Sequence, residues 1–223
     1  MGAIDMTPYL EKLLALYEEK LKRFRLSLTL LLVTTIVFFF LIFFPYITLI
    51  GNQKACQAQE LDCPHLEQSA LEERVSDLTT SWGNIPISTA EVVAFFPAGL
   101  ACGFVTVTSQ LQGLMRLRQA ITRQVNNCDN PMDVTLIAPL LIDQKQSFVD
   151  QILGGIVLLF PALMVFYSIN LIFVSLGALK EKLPYSQDIW FYRIVYFLSA
   201  LLVLYGLLKT GVNIYRTRAI EDH

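Results

Sequence analysis

Residues Leu26 to Ile50 read LSLTLLLVTTIVFFFLIFFPYITLI, and these 25 positions hold no charged side chain. At about 1.5 Å of rise per residue, about 20 apolar residues cross a hydrocarbon core of about 30 Å. The Ser and Thr within the run can bond back to their own helix carbonyls, so they do not forbid burial in lipid. A cleaved signal peptide would carry an apolar region of about 7–15 residues followed by a small-residue cleavage site. This run is longer, starts after 25 residues and ends without an A-x-A pattern. It predicts a retained transmembrane helix, and that decides the class of the fold.

Three further blocks repeat the signal. Val92 to Leu114 is less apolar, because Thr106, Thr108, Ser109, Gln110 and Gln112 dilute its second half. It is rich in small residues, and Gly99 and Gly103 form a G-x-x-x-G that lets another helix approach closely. Packing within the chain is the first expectation for that pair, and a dimerisation face the second. Such a helix should face protein or water more than lipid. Ile152 to Leu179 is long enough to span with tilt, with Pro161 a potential kink and Asn170 its one strongly polar side chain. Ile194 to Leu208 is short, but Trp190, Tyr192 and a snorkelling Arg193 before it and Lys209 after it extend it to span length.

The expected fold is therefore all-α, an integral membrane four-helix bundle. It comprises an N-terminal amphipathic helix (1–25), spans at 26–50, 89–115, 152–179 and 190–209, and connections at 51–88, 116–151 and 180–189. A tail (210–223) closes the chain. Composition agrees with this. The 223 residues are 54% hydrophobic and 16% charged, against about 25% charged in soluble domains. That argues against a disordered chain and a disulfide-dense secreted module. A formal net charge of −2 offers no basic field for nucleic acid.

Basic residues set the orientation. With four spans, the N-terminal segment, the second connection and the tail, taken together with Lys209 at the end of the last span, hold twelve of the 17 Lys and Arg residues. Positive charge stays on the cytoplasmic side, so both termini are expected there, in a bacterial-type inner membrane. The chain has no N-x-[ST] sequon.

The soluble pieces carry less. Leu10, Leu13, Leu14, Tyr17 and Leu21 recur at helical spacing, with Thr7 a plausible N-cap and Pro8 at the first position. This helix either lies on the inner leaflet or continues into the first span. In the outer connection, Cys56 and Cys63 are expected to form a disulfide. Pro64 to Thr80 reads as a small helical cap, opened by the capping box of Ser69 and Glu72. Trp82, Ile85, Pro86 and Ile87 then descend into the interface. In the inner connection, Asn126 to Pro131 breaks the helix.

Candidate chemistry is sparse. Glu91 is the nearest thing to an intramembrane acid, but Ser88-Thr-Ala-Glu91 is also a capping box that puts its charge at a helix N-terminus. Asn170 is expected to hydrogen-bond to a neighbouring helix. Thiol-oxidising membrane enzymes relay electrons through reactive cysteine pairs. Here there is no C-x-x-C, Cys102 lies inside a helix and Cys128 in the inner connection. His65 and His223 are the only histidines and fall on opposite sides, so no metal site is expected. No phosphate loop, nucleophile elbow, dinucleotide fingerprint or H-E-x-x-H is present. The reading is a non-enzymatic, cofactor-free structural or accessory subunit in the lipid bilayer. It acts through copies of itself or a membrane-protein partner, by helix–helix and outer-loop contacts. The alternative is a homo-oligomeric channel or small transporter whose path is lined by Glu91, Thr106, Thr108, Gln110 and Gln112.

Overall fold

A computed structural model of the chain describes residues 8–50, 89–126, 148–179 and 189–221, and every described element is helical. Helix α1 covers Pro8–Phe38, α2 Thr89–Asn126, α3 Phe148–Leu179 and α4 Ile189–Glu221. All four are long and apolar enough to cross a membrane. The expected disulfide at Cys56 and Cys63 and the cap helix both lie outside the described residues.

Helix α1 begins at Pro8, whose fixed φ and missing N–H suit a first turn. It runs without a break through the expected boundary near Arg25, so the N-terminal amphipathic segment and the first span are one helix. After Phe38 the backbone loosens into a π-helical turn, Phe39–Phe43, and the Phe44 N–H donates to the Phe39 carbonyl five residues back. Pro45 follows, and helix continues to Ile50. A proline ring collides with the carbonyl four residues earlier, here Leu41, and widening the preceding turn relieves that collision. Pro97 and Pro161 sit inside α2 and α3 with no such widening.

The chain divides into two compact units, each taking a segment from all four helices. The first unit comprises Met1–Leu31, Gly103–Phe160 and Val203–His223. Its interior holds Leu10, Tyr17, Leu21, Phe24 and Leu28 of α1, and Phe104, Val107, Leu111, Leu114 and Ile121 of α2. The α1 residues sit at steps of seven, four, three and four, which keeps them on one face. Glycine brings backbones close here. A Cβ built on Gly103 would lie 2.7 Å from Leu31 Cδ1, and one on Gly206 would lie 3.1 Å from Phe104 Cε1 and 3.3 Å from Thr108 Oγ1.

The second unit comprises Leu32–Cys102 and Pro161–Leu202. Aromatic rings join its helices. Phe96 of α2 stacks on Phe38 at 4.5 Å and lies 5.1 Å from Phe43 of the π turn. Phe39 meets Tyr167 of α3 at 5.9 Å, Phe173 of α3 meets Tyr196 of α4 at 6.0 Å, and Phe95 of α2 meets Tyr192 of α4 at 5.9 Å. These contacts link α1 to α2, α2 to α4, α4 to α3 and α3 to α1, so α4 sits between α2 and α3.

The outward residues of the spans are large and apolar, including Leu30, Val33, Leu163, Val174, Phe197 and Leu201. In water such continuous faces would associate or aggregate; in lipid they are matched to their solvent. On α4 the Arg193 guanidinium sits 5.5 Å over the Trp190 ring, and the Lys209 ammonium 5.2 Å from the Tyr205 ring. The 19 residue steps from Trp190 to Lys209 make about 28 Å of helix, close to a hydrocarbon thickness. Between the two cations α4 is uncharged from Ile194 to Leu208.

Candidate functional site

Helix α2 is the helix with most protein around it. Half of its apolar span is buried, against 28–33% for the other three. This agrees with its dilute, small-residue sequence. A helix that offers little apolar bulk gains little from lipid and more from close packing.

Its two glycines have different surroundings. Gly103 is half-buried and accepts Leu31 against its bare backbone, whereas Gly99 is exposed with nothing within 4 Å of where a Cβ would stand. The G-x-x-x-G thus serves α1 at one end and is open at the other. Gly99 is one of several outward positions on α2. Before Gly113 these are Phe95, Gly99 and Cys102 in the second unit and Thr106 and Ser109 in the first. They follow one another at steps of four, three, four and three, the spacing of a single helix face. Four of the five are small.

The four polar residues expected to line a path do not share a face. Two residues along a helix turn it by about 200°. Thr106 is accordingly exposed and Gln110 half-buried, while Thr108 and Gln112 are buried on the other side. Thr108 donates to the Val105 carbonyl at 3.0 Å, which satisfies its hydroxyl within its own helix. Glu91 is half-buried in the first turn of α2, where a carboxylate complements the helix N-terminus.

Asn170, expected to bond to a neighbouring helix, is exposed on α3. Among the described residues its side chain makes no hydrogen bond. Leu163, Tyr167 and Val174 are exposed with it, at steps of four, three and four around position 170.

One feature of α4 escaped the sequence reading. Its buried residues in the second unit are Tyr192, Tyr196 and Ser199, all hydroxyl-bearing, while Ile194, Phe197, Leu198 and Leu201 are exposed. Ser199 donates to the Val195 carbonyl at 2.7 Å. Ser168 of α3 and Thr35 of α1 are also fully buried in this unit. The signal was the step of four then three between those hydroxyls, masked by the uniformly apolar composition around them.

Among the described residues no group of three or more His, Cys, Asp or Glu side chains could hold a metal ion. Cys102, the one described cysteine, is exposed and not in a disulfide. Comparison of the chain with protein-family models, with curated proteins and with solved structures finds no match.

Proposed function

We propose that this protein is a multi-pass membrane subunit that works by assembly, docking other membrane helices against its second helix. The observation that carries this reading is the outward face of α2, where Gly99, Cys102, Thr106 and Ser109 are exposed. Lipid tails gain little against such a surface, because small side chains present few atoms to them. Another helix gains close backbone approach and van der Waals contact along the same line. The outer connection, with Cys56 and Cys63, supplies a second contact surface on the non-cytoplasmic side. Both termini lie in the cytoplasm, by the distribution of basic residues.

The test is photocrosslinking in native membranes from single positions on α2. Probes replacing Phe95 or Thr106 should capture another polypeptide, while probes at Val33 or Leu198, on other outward faces, should capture lipid. Gly99→Leu should abolish the captured product without unfolding the chain, since nothing stands within 4 Å of that position. Lipid adducts alone from α2, together with a monomer in native-lipid discs, would sink the reading.

The channel reading draws less support. A path lined by α2 needs its polar residues on one face, and Thr108 and Gln112 are buried away from Thr106. Conductance of the reconstituted protein that changes on Gln110→Leu would favour it over assembly.

A further inference from the structure

We infer that the outward face of α3 is a contact between two copies of this chain, with the Asn170 side chains paired across a two-fold axis. The inference rests on the membrane reading above and names a partner on a different helix from α2. Asn170 is exposed, and it is flanked on the same face by Leu163, Tyr167 and Val174, which are 64%, 47% and 78% exposed. Its amide therefore stands in an apolar surface that lipid would cover.

The other outward polar groups of the spans differ from it in kind. Hydroxyls can bond to their own helix, as the outward Thr48 does in donating to the Phe44 and Pro45 carbonyls. A primary amide has two N–H donors and a carbonyl acceptor, and although a helix carbonyl can accept a second bond, the helix interior has no free N–H to donate to the amide oxygen. Nor can it reach water. From Asn170 to the end of α3 at Leu179 the helix runs about 13 Å through LIFVSLGAL, and to its start at Phe148 about 33 Å. A side chain with only two carbons before the amide nitrogen and oxygen cannot snorkel that far.

An unpaired amide in hydrocarbon is costly, so the face favours an occupant with both a donor and an acceptor at one depth. A second Asn170 supplies both. Two amides facing each other across a two-fold axis along the membrane normal exchange two N–H···O=C bonds, and the symmetry puts them at equal depth automatically. The steps of four, three and four from Leu163 through Val174 match the seam of a left-handed helix pair. A single asparagine in such a seam selects register and a two-stranded state.

The test is self-association of the full-length chain in lipid bilayers, by energy transfer between differently labelled copies as lipid dilutes them. Asn170→Leu should weaken the dimer roughly tenfold in dissociation constant, the loss of about 1.4 kcal/mol of interhelical bonding. Asn170→Gln, which keeps the amide, should restore most of it. Dimerisation unchanged by Asn170→Leu overturns the inference, as does a photocrosslink from position 170 to a different polypeptide. If Asn170→Leu is silent while Gly99→Leu still removes the product captured on α2, this inference fails and the assembly reading stands. If neither variant changes any association, both fail.

Discussion

The two units are built from the same four helices yet pack by different means. Every aromatic pair among the described residues lies in the second unit, where Phe38 meets Phe96, Phe95 meets Tyr192 and Phe173 meets Tyr196. The two close glycine approaches, at Gly103 and Gly206, lie in the first unit. Charge divides in the same way. The first unit carries Lys12, Lys20, Lys22, Arg23 and Arg25 on α1 and Arg116, Arg118 and Arg123 on α2, whereas the described charges of the second unit are Glu91 and Arg193. On the proposed membrane reading, the charged N-terminal part of α1 meets water, and its buried Leu–Tyr–Phe stripe is held by the hydrophobic effect. On the same reading that effect is gone along the uncharged parts of the helices, where ring-to-ring contact and close backbone approach supply cohesion.

The strongest blow to the first unit should be Gly206→Leu. Phe104 and Thr108 already crowd the position, both on the facing helix, so a branched side chain forces the helices apart. A loss of about 3 kcal/mol is expected in unfolding from mixed micelles. An unchanged unfolding midpoint would show that α2 and α4 are not held together there. In the second unit Phe96→Ala removes the stacking on Phe38 and the contact with Phe43. In lipid most of the transfer term disappears and the lost ring contacts remain, so about 2 kcal/mol is expected by the same assay. A cost above that of Gly206→Leu would reverse the ranking of the two packing modes.

Smaller substitutions sharpen the comparison. Gly206→Ala needs Phe104 and Thr108 to move by a few tenths of an ångström and should cost about 1 kcal/mol. Gly113→Ala, in open space, should instead stabilise by up to about 1 kcal/mol through the helix propensity of alanine. Opposite signs for these two changes would establish that space, and not glycine as such, decides the first unit. The smallest effect belongs to Arg23→Ala. Its ion pair with Glu19, one turn away on α1, has side chains 75% and 58% exposed. It should contribute less than about 0.5 kcal/mol, which added salt screens further.

Much of the fold was legible along the chain. The run from Leu26 to Ile50, the block around Gly99 and the last two apolar stretches all coincide with helices able to span a membrane. The stripe Leu10–Tyr17–Leu21 was legible too, because burial at helical spacing leaves a periodic record. Whether that stripe belonged to a surface helix or to the first span was not, since helix propensity is the same in both. The candidate surfaces were half legible. Gly99 and Asn170 stood out as residue types, but their spacing did not say whether their neighbours lay inside the chain or beyond it.

By itself, then, the sequence determined the helices and their capacity to span a membrane. A stretch of 25 uncharged residues has one stable way to satisfy its backbone in lipid, and that follows from composition alone. Only the tertiary structure decided which side of each helix faces inward. Along an almost uniformly apolar helix no contrast marks the inner face, so neighbours and volume set it. That is why Tyr192, Tyr196 and Ser199 turn in, why Gly103 receives Leu31, and why Gly99 and Asn170 are left facing outward.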